Sequence, residues 1–332
     1  LFDGFSSRAR ILAARYQVEA TEQTRNETRR LLAEAVSNVF YQAELAVENM
    51  LIARQNQIFN RILEDEADKR WQAGSIPEAE KLNFSVRALQ AETDFLRASQ
   101  NFKLVTAVLA ELLARPDAIL SPDFYPLRSN SDVLSQTIPA YEEEFNFALE
   151  HRPDLKALQA STAALEAKKK EHKGNYWPKL ILNGGYDYNK YSNLGTVDQE
   201  EHDAYAGLYL TWDLYQGGRR SAQVREVDSN LRALEEQRKQ KVLSIQSAIQ
   251  QAIVSAEATR AMYQRQQQSL LLTAKIRDHV EKAYRAGVAN LTRLNEAQTD
   301  LVRASGAEAA SRISYLMALQ QLKAVSGRIL EF

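Results

Sequence analysis

The chain has 332 residues, 45% of them apolar and 26% charged, with a formal net charge of −1. A sizeable core is possible, and the balanced charge argues against nucleic acid or any other polyanion as a partner. With no Cys, a disulfide framework, a thiolate metal site and a thiol nucleophile are excluded.

The first residues, Leu1-Phe2, read as the tail of a strand. From Gly4 to Gly74 there is no further Gly or Pro, so the interval predicts one helix of about 68 residues, roughly 100 Å long at 1.5 Å per residue. Along it Leu32, Val36, Val39, Ala43, Ala46 and Met50 form a heptad seam, and Leu31, Ala35 and Phe40 add a second apolar stripe. A helix with two adjacent stripes suits a wall of helices better than an isolated pair. Gly74-Ser75-Ile76-Pro77 forms a tip at 74–77, with Pro77 suited to the first turn of a return helix from Glu78 to Arg115.

Residues 116–140, which include Pro122 and Pro126, have no period and predict an irregular, partly ordered connector. A helix over 141–173 follows, broken at Arg152-Pro153-Asp154, where Pro153 marks a new helical start. At 178–215 the period becomes twofold. Leu180, Leu182, Leu208, Leu210 and Trp212 share one face of a hairpin, and Asn183, Asp187, Tyr209, Thr211 and Asp213 share the other. Joined by the polar, acidic turn 190–203, these strands fit a transmembrane β-hairpin with the first set toward lipid and the second toward a water-filled lumen. A soluble amphipathic hairpin capping a helical bundle fits the alternation equally well.

The remainder repeats the beginning. Gly217 and Gly287 lie 213 positions beyond Gly4 and Gly74, bounding a long helix at 218–286, a tip at 287–290 and a return helix to about 327. Its seam, Ile245, Ile249, Ala252, Ala256, Thr259 and Tyr263, steps identically to the first. The chain thus divides into a first repeat (1–115), a connector (116–140) and a second repeat (141–332). Its four histidines, His151, His172, His202 and His279, are scattered, so neither a metal or cofactor site nor an enzyme is expected. Glu142-Glu143-Glu144 and Lys168-Lys169-Lys170 read as solvated faces, and Trp71 as a packing residue.

Several ordered motifs carry a resemblance. They are Leu210-Thr-Trp-Asp-Leu-Tyr-Gln-Gly-Gly-Arg219 leading into a very long helix, its echo Leu1-Phe-Asp-Gly-Phe5, and Tyr284-Arg-Ala-Gly287 followed by Leu291, Leu294 and Glu296-Ala-Gln298. Arg152-Pro-Asp-Leu155 ahead of Trp177-Pro-Lys-Leu180 completes the set. Over essentially its whole length the chain resembles the TolC-like outer-membrane efflux family. That resemblance implies a mainly α fold with two long helical hairpins in an α-barrel tunnel, plus strands of a transmembrane β-barrel. It further implies a homotrimer in the outer membrane whose tunnel extends into the periplasm. Such a trimer is a passive exit duct for efflux or secretion, in contact with outer-membrane lipid, a periplasmic adaptor and an inner-membrane pump.

In the family the inner helices close the periplasmic end through polar residues past the tip, commonly acidic ones at six and nine residues beyond the glycine. Here those positions are Arg293 and Glu296, with Tyr284 before Gly287, and these three are the candidate gate. Arg293 in place of an acid puts a strongly acidic, cation-binding ring in doubt, and a plain surface ion pair with Glu296 is the alternative. The candidate adaptor-docking tips are Gly74, Ser75, Ile76, Gly287, Val288, Ala289 and Leu291. Only Leu1-Phe2 stands in the first repeat for the helix and hairpin at 141–214, so the sequence is expected to lack at least about 70 residues of that repeat. A soluble coiled-coil scaffold accounts for the rods but not for the aromatic-fringed hairpin. A periplasmic adaptor is expected to carry one helical hairpin rather than two.

Overall fold

The computed structural model describes residues 1–117, 119–120, 124–126, 133–191 and 199–331. Pro122 of the connector and residues 192–198 of the polar turn lie outside the described residues. The elements run α1 (Ser6–Gln72), α2 (Glu78–Leu112), α3 (Tyr141–His151), α4 (Pro153–Gly174), β1 (Lys179–Tyr191), β2 (Gln199–Thr211), α5 (Arg219–Arg285) and α6 (Leu291–Ser326).

The internal repeat holds to the residue. Both long helices, α1 and α5, have 67 residues, and their starts, their ends and the starts of α2 and α6 are all offset by the spacing of the tip glycines. Each runs uninterrupted because no Gly or Pro occurs inside it. Two boundaries differ from expectation. Pro77 is the residue capping α2, with an extended ψ of 155°, and not a member of its first turn. At its other end α2 stops at Leu112 because Ala114 takes φ +53°, and the Arg115 N–H turns back to the Ala110 carbonyl.

Two compact units divide the chain. One, Leu1–Glu27 with His151–Ser244, holds the starts of α1 and α5, α4 and the hairpin. Here Phe2 exchanges two backbone hydrogen bonds with Leu180, an isolated antiparallel bridge beside β1. Pro153 occupies the first turn of α4, and Arg152 just before it grips Asp154 through two nitrogens at 3.0 and 2.7 Å, joined by Lys241 of α5 at 3.0 Å. Burial pushes the Asp154 carboxyl up, but hydrogen bonds and charge from Arg152 and Lys241 outweigh it and hold the group at about 2.

The other unit, Thr28–Glu150 with Ile245–Phe332, holds the rest of α1 and α5 together with α2, α3 and α6. Its main core gathers Ala256, Tyr263, Ile313, Tyr315, Leu316 and Leu319, with Val133 of the connector packed among them. Of the two seams, the second is buried almost throughout, and Ala43 and Ala46 of the first are buried as well. Leu32, at the beginning of the first seam, and Leu31 of the stripe beside it are about half exposed.

Candidate functional site

The β-hairpin is built by register. Leu180 faces Leu210 and Leu182 faces Leu208 across the antiparallel pair, while Asn183 faces Gly207 and Asp187 faces Asp203. Because side chains alternate across a strand, this register gathers the leucines on one face and the carboxylates on the other. Leu182, Leu208 and Leu210 are 62%, 62% and 70% exposed, an apolar surface left uncovered among the described residues. Tyr209 and Thr211 share the polar face, although Ile181 opposite Tyr209 makes that face less polar than the alternation alone implied. Trp212 and Asp213 are corrections: β2 ends at Thr211, and both lie on the turn into α5. The cause is local hydrogen bonding, since the Trp212 indole donates to the Tyr176 carbonyl and the Asp213 carboxylate accepts from Gln216.

The two tips close identically. Gly74 and Gly287 take φ +73° and +74°, which a residue with a Cβ rarely adopts. At each, the glycine N–H returns to the carbonyl three residues back, and the next N–H to the carbonyl five back, satisfying the last carbonyls of α1 and α5. Asn290 caps α6 by accepting from the Arg293 N–H at 2.9 Å.

Between the tips sits a small core of Leu63, Ala67, Phe84, Tyr284, Leu291 and Leu294, with Ile76 and Ala289 packed against it. Leu291 is only 5% exposed, which corrects its assignment as a docking residue: as the first residue of α6 it turns inward. Val288, at 83% exposure, is the most prominent apolar side chain at either tip. Tyr284 is buried in this core, its hydroxyl donating to Glu66 of α1 at 3.3 Å and its ring lying under the Arg70 guanidinium at 4.9 Å. Burial pushes the Tyr284 hydroxyl pKa up, and the Glu66 charge adds to the shift. Arg293 and Glu296 stand outside the core, exposed and paired at 3.1 Å on one face of α6. Trp71, at the position in α1 that Tyr284 holds in α5, is half exposed and carries the Lys81 ammonium 3.9 Å from its ring.

Polar links between helices were missed in the sequence. Asn295, with its amide oxygen turned inward, accepts from Arg87 of α2, and Gln298 accepts from Arg277 of α5 at 3.2 Å. Both Asn295 and Gln298 fall on the stripe of Leu291 and Leu294 at helical spacing, a readable sign of buried polar groups. Among the described residues no helix is long and apolar enough to cross a membrane.

The model of the family described as outer membrane efflux protein matches residues 145–328. The chain belongs to that family. No curated protein sequence matches this chain. Among solved structures it is similar to a membrane protein of Pseudomonas aeruginosa, at 18% identity over 98% of this chain and 74% of that one, with a TM-score of 0.81. It is also similar to the open-state MtrE outer membrane channel of Neisseria gonorrhoeae, at 17% identity over 97% and 72%, with a TM-score of 0.78. A third likeness is to the outer membrane protein VceC of Vibrio cholerae, at 17% identity over 98% and 76%, with a TM-score of 0.75. At these identities the structural likeness speaks for the fold, and the efflux family assignment rests on the matched residues.

Proposed function

We propose that this outer membrane efflux family member is the passive exit duct of an export assembly, acting as a homotrimer docked to a periplasmic adaptor and an inner-membrane pump. The observation that carries this reading is the hairpin. A two-stranded sheet with three leucines more than 60% exposed on one face and carboxylates on the other is not stable alone in water. Joined edge to edge with further strands it becomes a barrel wall, leucines to lipid and Asn183, Asp187, Tyr209 and Thr211 to the lumen. A second support is the exposed stripe Leu82, Val86, Leu89 and Leu96 on α2, spaced as a heptad seam that a second copy of the chain would cover.

In this reading the tips of both hairpins meet the adaptor through Gly74, Ser75, Ile76, Gly287, Val288 and Ala289. Arg293 and Glu296 line the constricted end, and Tyr284 latches α5 to α1 behind them through Glu66. A ring of arginines in a narrow, poorly screened passage raises the barrier for cations and lowers it for anions. Planar-bilayer recordings of the full-length protein test this. Arg293→Ala should raise conductance and shift selectivity toward cations, and Glu296→Ala should shift it the other way. A conductance and selectivity indifferent to both would place the pair on the outer wall.

A further inference from the structure

The two hairpins are twins in length but differ in how their return helices are held. In α6 the buried side chains form two groups, Leu291, Leu294, Asn295, Ala297 and Gln298 beside the tip and a dense set from Glu308 to Ser326. Between them, residues 299–307 include no buried side chain. Gly306 lies in that stretch, and a Cβ built on it would meet nothing within 4 Å, so packing does not demand a glycine there. Directly beyond it stands Arg312, with its side chain 2% exposed, donating to Glu44 at 2.8 Å and to Glu48, both on α1. Burial lowers the Arg312 pKa, but the hydrogen bonds to the two glutamates more than offset it and keep the guanidinium charged. Sliding α6 along α1 would strand buried charges, so this cluster fixes the register of the two helices. At the matching positions α2 has Thr93 and Ser99, neither a helix breaker nor a cation.

α2 has an even longer stretch without a buried side chain, residues 92–108, but neither a glycine nor a buried cation in it. The glycine and the clamp thus occur together in the hairpin that bears Tyr284, Arg293 and Glu296. On the tip side α6 is held by the small apolar core through Leu291 and Leu294 and by two hydrogen bonds, Asn295 to Arg87 and Gln298 to Arg277, which water can replace one at a time. We propose that Gly306 is a hinge about which the tip segment of α6 swings while Arg312 holds the remainder on α1, and that this swing opens the constricted end. The inference rests on the gate reading above and adds the place where the motion is accommodated.

The test uses full-length protein in planar bilayers, with Gly306→Ala beside Thr93→Ala. Alanine has open space at 306 and is the better helix former, so the variant should fold and assemble normally. It should reduce open probability about five-fold, the equivalent of about 1 kcal/mol of helix propensity, while Thr93→Ala changes nothing. A double variant, Arg87→Cys with Asn295→Cys in this cysteine-free chain, bridged by a reducible bis-methanethiosulfonate, ties the tip segment of α6 to α2 and tests the gate separately. If bridging lowers conductance reversibly but Gly306→Ala leaves open probability unchanged, the hinge is wrong and the gate stands. If bridging has no effect on conductance, the gate reading falls and the hinge with it.

Discussion

Arg312 of α6 donates to Glu44 of α1 at 2.8 Å, although 268 residues separate them in sequence and each side chain is only 2% exposed. A buried pair of this kind is worth little against an apolar replacement of equal volume, but breaking it from one side strands a charge. Arg312→Met should therefore destabilise by about 3–5 kcal/mol, whereas Arg312→Met combined with Glu44→Met and Glu48→Met should recover most of the loss. Thermal unfolding of the detergent-purified variants checks this, and a triple variant less stable than the single would contradict it.

In the other unit, Asp154 offers a pH handle. Its carboxyl titrates at about 2, below the ordinary 3.8, because of Arg152 and Lys241. A lowered carboxylate contributes stability that is full above about pH 4 and is lost as pH falls toward 2. Asp154→Asn should cost about 1–2 kcal/mol at pH 7, allowing for partial solvent screening, and close to nothing at pH 2. A stability difference that did not shrink on acidification would show that the Arg152 contact matters by packing alone.

Much of this fold was legible because glycine and proline punctuate it so sparsely. The pairs Gly4 with Gly74 and Gly217 with Gly287 bracket α1 and α5 closely, and the alternation of Leu180, Leu182, Leu208 and Leu210 set the hairpin register that β1 and β2 adopt. Contacts that depend on which helices become neighbours were not legible. Arg312 with Glu44, and Tyr284 with Glu66, join residues more than 200 positions apart. Leu291 was misplaced because a residue after a tip glycine reads as surface until the neighbouring α1 and α2 supply Leu63 and Phe84. Trp212 and Asp213 continue the twofold pattern past the last ladder bond, where side-chain hydrogen bonds to the following turn take over.

Ala43 and Ala256 are both fully buried at matching seam positions. Ala43→Leu or Ala256→Leu should destabilise by about 1–3 kcal/mol through overpacking, while Leu31→Ala, at an exposed position, should leave the isolated chain's melting temperature near its starting value. Equal losses at all three sites would mean that assembly, not the chain's own core, sets the melting temperature.

Gly287→Val forces a β-branched residue into φ +74° and should distort the tip and weaken capture of the periplasmic adaptor. The hairpin should be untouched, as judged by its membrane insertion. Crosslinking of adaptor to this variant at the wild-type level would remove the tip from the docking account.

The central claim is that the exposed leucine face of the hairpin belongs to a trimeric barrel in lipid. Native mass spectrometry of the full-length protein released from detergent, comparing wild type with Leu208→Arg and Thr211→Arg, tests it most directly. The account predicts a lipid-associated trimer for the wild type and for Thr211→Arg, with Leu208→Arg losing trimer as expected for a cost of about 2–4 kcal/mol near the bilayer midplane. A wild-type protein that is a lipid-free monomer or dimer without detergent, or a trimer equally insensitive to both substitutions, would contradict it.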